Sequence, residues 1–362
     1  MENLGITPLF ESFFKGKRVL ITGHTGFKGS WLSIWLHQLG AEVTGVALEP
    51  YTEKDNYVLS GIGKRINDLR GDIRDAVLLK NIFSQSQPEI VFHLAAQPLV
   101  RVSYENPVET YEVNVMGTIN VLEAIRNIDS VKTGIMITTD KCYDNKEQIW
   151  GYRECDPMGG FDPYSSSKGA AEIAIASWRN SYFNPNDYAK HGKSIASVRA
   201  GNVIGGGDWA LDRIIPDCIR AIENNKPVEI RKPHAIRPWQ HVLEPLSGYL
   251  LLATKMWNEP TKYNEAWNFG PKIDSISTVW EVATKVIDLY GTGSLVDVSN
   301  SKAVHEANLL ILDTAKARFQ LGWEPKMNLS QCIDFTVDWY KRYSIENSYD
   351  VCIEQINCYL DL

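Results

Sequence analysis

Apolar and β-branched residues gather in short runs through the first 200 residues, and between those runs they return at helical spacing. Lys17-Arg18-Val19-Leu20-Ile21-Thr22 predicts a buried strand by its length and residue type. After a glycine-bearing turn, Ser30-Trp31-Leu32-Ser33-Ile34-Trp35-Leu36 has the spacing of a helix, stopped at Leu39-Gly40. Residues 42–48 predict a second strand, which completes a βαβ unit. The alternation goes on. A short strand gives way to a helix at Gly71-Asp72-Ile73-Arg74-Asp75, and residues 88–94 and 131–138 read as further buried strands. One long helix is expected over residues 107–126, and residues 194–199 form another strand. Strands alternating with helices of this length imply a Rossmann-type, doubly wound parallel sheet with helices on both faces.

From Gly201 the pattern changes to a glycine-rich loop, and shorter pieces follow: 213–224, 228–230, 244–257, 277–290, 313–321 and 329–340. We therefore expect a dinucleotide-binding domain over residues 1–200, to which segments around 237–270 return, and a smaller mixed α/β domain over 201–362. Composition changes this picture little. With 44% apolar and 22% charged residues, the chain is of ordinary globular type. A net charge of −7 argues against nucleic-acid and polybasic membrane partners. No apolar run approaches the roughly 20 residues of a membrane span. The first 15 residues lack the order of a signal peptide, so a cytoplasmic location is expected. Cys142, Cys155, Cys218, Cys332, Cys352 and Cys358 are scattered without metal-type spacing, as reduced cysteines are, and no metal is expected.

The chemistry gathers at strand ends, where an α/β sheet binds its ligands. Gly23, Thr25, Gly26, Phe27 and Gly29 lie between a strand and a helix, the setting in which a glycine turn cradles a pyrophosphate. Glu49 stands at the right distance to bind an adenosine ribose hydroxyl, with a solvated loop carboxylate as the alternative. No arginine adjoins that strand end in the sequence, which favours NAD over NADP. Leu94, Ala95, Ala96 and Gln97 end a strand with small residues that let backbone approach a cofactor. Thr138-Thr139-Asp140-Lys141 closes the strand 131–138, and Tyr164 and Lys168 stand four residues apart, on one face of a helix.

These motifs, with the Asp72-Ile73 pair and Asn114, match in order and spacing, and the chain resembles the extended short-chain dehydrogenase/reductase family. Its second-half motifs are similar to those of the nucleotide-sugar 4,6-dehydratase branch acting on CDP-D-glucose. They are Gly205-Gly206-Gly207-Asp208-Trp209-Ala210, Arg237-Pro238-Trp239-Gln240-His241 and His305-Glu306-Ala307. The resemblance covers nearly the whole chain. It implies bound NAD held by the residues above together with Asp72, Ile73, Tyr164 and Lys168, and an enzyme that dehydrates CDP-D-glucose. The product would serve dideoxyhexose synthesis for surface polysaccharide.

In that chemistry Tyr164 takes the 4-hydroxyl proton, Lys168 supplies the cation that a phenol of pKa ~10 needs to act as a base, and Thr139 holds the 4-oxygen. Asp140 protonates the departing 6-oxygen. The better-known dTDP-glucose dehydratases carry a glutamate where this chain has Lys141, so the C5 base is either Lys141 or a group that it orients. An ordinary lysine, of pKa ~10.4, is almost wholly protonated at neutral pH, so only burial or nearby positive charge would make it a base. Asn202, Arg213 and Arg237 are the diphosphate candidates, and each arginine could equally form a structural ion pair. Trp209 and His305 are expected at the sugar or base, with core packing as the alternative for Trp209. Asn114 is expected to orient the catalytic threonine, and His24 and His93 to be structural. A homodimer or homotetramer is expected through the 107–126 and 164–180 helices, although Ile119, Val121, Leu122, Ile173 and Ile175 could instead be intramolecular core. The competing activities are dehydration of a dTDP-, GDP- or UDP-sugar, 4-epimerisation, and NAD binding without catalysis.

Overall fold

A computed structural model describes residue 10 and residues 12–272, 275–299 and 309–362. Seven strands form one sheet: β1 (Arg18–Thr22), β2 (Glu42–Ala47), β3 (Asn67–Arg70), β4 (Ile90–His93), β5 (Thr133–Ile137), β6 (Ser194–Arg199) and β7 (Ala266–Asn268). Their order is β7-β6-β5-β4-β1-β2-β3, and every neighbouring pair is parallel. The chain runs outward from β1 in both directions, so the point between β1 and β4 is the topological switch, where a crevice opens. Thr22 pairs with His93 across that point, so the loops that follow both strands rise side by side.

Successive side chains of a strand point to opposite faces. On β1, Val19 and Ile21 enter one hydrophobic core and Leu20 the other. Helix α1 (Phe27–Gln38) is buried along Gly29 to Leu36 without a break, because it is covered on more than one side. Part of that cover is the C-terminal helix Ser348–Asp361, which lies beyond the elements legible in the sequence. Tyr349 meets His37 at 2.8 Å, and the Tyr359 and Trp35 rings lie 6.0 Å apart.

The helix expected over 107–126 is continuous but not uniform. Pro107–Tyr111 and Thr118–Asn127 are α-helical, and Glu112–Gly117 between them is a π-helical turn containing Asn114. Such turns recur at functional sites, where they re-aim a side chain. We call this composite α2 and the helix Pro163–Ser181 α3. Val121, Leu122 and Ile175 belong to the intramolecular core, whereas Ile173 is 63% exposed. All six cysteines are free. Among the described residues no helix is long and apolar enough to cross a membrane.

Candidate active site

Thr138 follows β5 directly, and Thr139 caps a single turn, Asp140–Cys142. The Thr139 hydroxyl donates to Asp140 Oδ1 at 2.9 Å and accepts from the Lys141 amide at 3.4 Å. Asp140 is 2% exposed and packs so closely on Gly201 that a Cβ there would lie 1.9 Å from its carboxylate. Opposite stands Tyr164, near the start of α3. That start is fixed by Pro163 and by Asp162, which caps the Ser165 amide at 2.9 Å. The Tyr164 amide donates to Ser103 Oγ at 3.1 Å, and Lys141 Nζ lies 5.8 Å from the Tyr164 ring.

Burial pushes the Tyr164 phenol up to about 12, while the Thr139 side chain against it and the Arg213 guanidinium pull the other way. The sequence pointed to Lys168 as the cation serving this phenol; the cation that draws its pKa down is the Arg213 guanidinium. Burial lowers Lys168 to about 8, opposed by Glu172 and Cys142. Lys28, in the glycine turn's helix, is also lowered to about 8, first by burial and then by Arg213. Asp140 opposes that shift, Lys168 adds to it, and Asp208 opposes it. The fold thus gathers Thr139, Asp140, Lys141, Tyr164, Lys168, Arg213 and Lys28 into one charged cluster. Arg213 is anchored there by Asp208 at 2.6 Å. Lys28 was not foreseen, because a lysine within a glycine turn has no signature of its own.

Glu172, one helical turn beyond Lys168, was also missed. It accepts from Thr138 Oγ1, from Ser197 Oγ at 2.8 Å and from Arg199 at 2.8 Å. It therefore joins α3 to the ends of β5 and β6. Asn114 corrects an expectation. Its side chain bonds the Gln97 amide at 2.9 Å, the Gln97 carbonyl at 3.1 Å and Ser167 Oγ at 2.9 Å. It orients the Gln97 segment and α3 rather than the threonine.

Elsewhere, Trp209 is 6% exposed, with its ring 5.3 Å from that of Tyr340 and 5.5 Å from that of Tyr343, the packing of a core residue. Asn202 adopts a left-handed backbone (φ 47°), and its carbonyl accepts from Gln240 N at 3.2 Å. Arg237 stands on a two-stranded ribbon, Ile236–Pro238 with Ile276–Thr278. His305 lies outside the described residues. His93 is a buried structural residue between Thr22 and Thr118, held down to about 3 by burial.

The glycine turn fits a dinucleotide. A Cβ on Gly23 would lie 2.7 Å from the Ala95 amide, so the turn abuts the segment after β4, and one on Gly29 would lie 2.1 Å from the Gly23 carbonyl, so the turn also closes on itself. A Cβ on Gly26 would meet only the Gly23 carbonyl, at 3.4 Å, and Gly26 is exposed. The turn is thus open at its middle glycine. No side chain caps the first amides of α1, which leaves them for a phosphate. The Lys168 side chain is buried, and its ammonium makes no hydrogen bond among the described residues. Leu94 and Ala95 are held by the Thr22 carbonyl and hydroxyl at 3.1 and 3.2 Å, and Asp72 is held by Arg74 at 2.6 Å. One expectation fails: Arg70 at the end of β3 lies 2.9 Å from Glu49, so an arginine does adjoin that strand end.

A parallel sheet with this strand order, an open glycine turn and a Tyr/Lys pair on one helix define a short-chain dehydrogenase/reductase of the extended type. The chain matches the model of the GDP-mannose 4,6 dehydratase family over residues 20–336. It is 52% identical over 337 residues to the CDP-glucose 4,6-dehydratase of Salmonella typhimurium, a match covering 92% of this chain and 93% of the relative. The chain therefore belongs to the nucleotide-sugar 4,6-dehydratase family.

Among solved structures, a dTDP-glucose 4,6-dehydratase from Streptomyces venezuelae has a TM-score of 0.76 at 22% identity, covering 90% of this chain and 97% of that one. The UDP-glucose 4-epimerase of Thermus thermophilus in complex with NAD has a TM-score of 0.75 at 25% identity, covering 89% and 98%. Dehydratase and epimerase share the fold, so the activity has to be argued from side chains.

Proposed function

We propose that the protein is an NAD-dependent hydro-lyase that converts CDP-D-glucose to CDP-4-dehydro-6-deoxy-D-glucose and water. The observation that carries this reading is the pairing of Asp140 and Lys141 with Thr139 and Tyr164. An epimerase needs only the second pair, because it removes neither a C5 proton nor a C6 oxygen. The identity with a CDP-glucose dehydratase supports the choice of nucleotide.

When bound, NAD would supply a hydride acceptor for C4 and a hydride donor for C6. The glycine turn and the amides of α1 would hold its pyrophosphate, Glu49 its adenosine ribose, and Lys168 its other ribose. Tyr164 accepts the 4-hydroxyl proton while Thr139 holds the 4-oxygen in place. The ketone so formed makes the C5 hydrogen acidic, and Lys141, or a group that it orients, removes it. Asp140 protonates the 6-oxygen, which leaves as water, and the group that took the C5 proton gives it back to C5. Arg213, with Asn202 and Arg237, takes the diphosphate. His305 is assigned to the sugar or base on its motif alone.

We assign residues 1–200 with the segments around 237–270 to cofactor binding, and the remainder to the nucleotide-sugar. Six free thiols suit a cytoplasmic setting. Val108, Met116 and Ile173, exposed on α2 and α3, suit a homodimer or homotetramer. Mass spectrometry of purified protein incubated with NAD and CDP-D-glucose tests the activity. Loss of one water is expected; unchanged substrate would overturn the reading, and faster loss from dTDP-glucose would reassign the nucleotide.

A further inference from the structure

We propose that Tyr143 is a positioning residue for the dehydration step: its hydroxyl, fixed between Arg199 and Asn268, holds the far end of the turn that carries Asp140 and Lys141. This rests on the dehydratase reading above and concerns what aims its acid and its C5 group.

The turn cannot hold that aim alone. It has three residues, and its own backbone bonds are long: the Cys142 amide reaches the Thr139 carbonyl at 3.3 Å, and the Tyr143 amide reaches the Asp140 carbonyl at 3.4 Å. A helical piece this short takes its shape from its flanks.

Both flanks lead to one buried ion pair. Ahead of the turn, the Thr138 hydroxyl donates to Glu172. Behind it, Tyr143 OH accepts from Arg199 Nη1 at 2.6 Å and donates to Asn268 Oδ1 at 2.8 Å. Arg199 Nη2 meets Glu172 Oε2 at 2.8 Å, which closes a circuit across the turn. Because Glu172 lies one helical turn beyond Lys168 on α3, that circuit refers the turn to the helix of Tyr164 and Lys168. Backbone bonds from Gly159 to the Cys142 carbonyl at 2.8 Å and from Asp144 to the Pro157 carbonyl at 2.9 Å tie the far end only to the neighbouring loop. The Tyr143 hydroxyl ties it to β6 and β7.

Its two partners are themselves fixed. The Asn268 side-chain amide donates to the Tyr152 carbonyl at 2.8 Å and to the Asp313 carbonyl at 3.1 Å. The Tyr143 ring is fully buried and stacked on that of Tyr152, with centroids 5.2 Å apart. Burial raises the phenol well above its usual range, while Arg199 pulls the other way. A neutral hydroxyl committed on both sides takes no substrate proton, so its part is to place the groups that do. Thr139, at the near end of the turn, is held through Thr138 instead. Loss of the Tyr143 hydroxyl is therefore felt in dehydration before it is felt in oxidation. Misplacing a reacting group by about 1 Å costs on the order of 10²-fold in rate.

Tyr143→Phe keeps the stacked ring and removes the hydroxyl. Arg199→Lys keeps a cation for Glu172 without a second donor for Tyr143. With NAD and CDP-D-glucose, both variants are expected to lose about tenfold or more in kcat, with KM changed by less than about twofold. Mass spectrometry of a quenched single turnover should show the 4-dehydro sugar accumulating, because oxidation at C4 outruns elimination. Tyr152→Phe removes the neighbouring hydroxyl, bonded to Asn145 Oδ1 at 3.0 Å, and is expected to keep the wild-type kcat while loosening the same cluster. Rates are compared well below each variant's melting temperature, and if Tyr143→Phe does not fold, Arg199→Lys decides. Wild-type kcat in the folded variants, or oxidation slowed as much as dehydration, would overturn the proposal. A wild type that leaves CDP-D-glucose unchanged would sink the dehydratase reading itself, and the proposal with it.

Discussion

Lys141 departs most from the carboxylate chemistry expected of a C5 base. Its ammonium nitrogen lies 5.8 Å from the ring of Tyr164, on the turn that also carries Asp140. If it is the base, Lys141→Met should lower exchange of the C5 hydrogen with deuterated solvent by about 10²–10⁴-fold, the usual worth of a placed base, while oxidation at C4 continues. An unreduced exchange rate, followed by nuclear magnetic resonance, removes the role. At this scale the sequence was informative. Tyr164 and Lys168 are local on one helix, and Thr139 to Lys141 are consecutive. Lys28 and Arg70 were illegible because their significance comes from neighbours far along the chain.

The elements are held in register by buried polar groups that belong to none of them alone. Glu172 and Arg199 are 2% and 5% exposed on their side chains, and together they connect α3 to β5 and β6. Replacing Glu172 by Gln leaves Arg199 as a buried, unpaired cation, which costs about 3–5 kcal/mol. Urea unfolding should show a lower midpoint, and Glu172→Leu with Arg199→Met should recover much of the loss. Equal destabilisation in the single and double variants would mean that the loss does not come from a stranded Arg199 charge. Helical spacing puts Glu172 on the face of Lys168, but its partners on two strands come only with the sheet. The π-helical turn at Asn114 escaped notice for a similar reason. It stands between two helical segments of ordinary pattern, and the bonds of Asn114 to Gln97 and Ser167 show its use.

For the molecule as a whole, the C-terminal helix is fastened through Glu244, which is 1% exposed on the helix Leu243–Asn258. Its carboxylate accepts from the Lys326 and Met327 amides at 2.8 and 2.6 Å and from Tyr359 OH at 2.9 Å. Burial pushes this carboxyl up to about 7, against the Met327 amide, Tyr359, the Lys326 amide and the Lys272 charge. The folded-state value lies above the unfolded one, so the folded state binds the proton more tightly. The stability this contributes is fully present below about pH 4.5, is lost as pH rises through about 7, and amounts to about 3 kcal/mol. Melting temperatures should therefore fall between about pH 5 and pH 8, and fall less in Glu244→Gln. An identical fall in both proteins would exclude Glu244 as the source.

By itself the sequence determined the parallel α/β class, the glycine turn, the strand-end cluster Thr139-Asp140-Lys141 and the Tyr/Lys helix. Each is written in local periodicity or in residues a few positions apart. Tertiary structure decided what depends on distant segments meeting: Arg70 beside Glu49, Lys28 and Arg213 beside Tyr164, and Trp209 in the core rather than at the sugar. It also decided the covering of α1 by the C-terminal helix. Hydrophobic spacing specifies which face of an element is buried, but not what is buried against it. The electrostatic partners of a buried charge are fixed only when the strands carrying them are aligned.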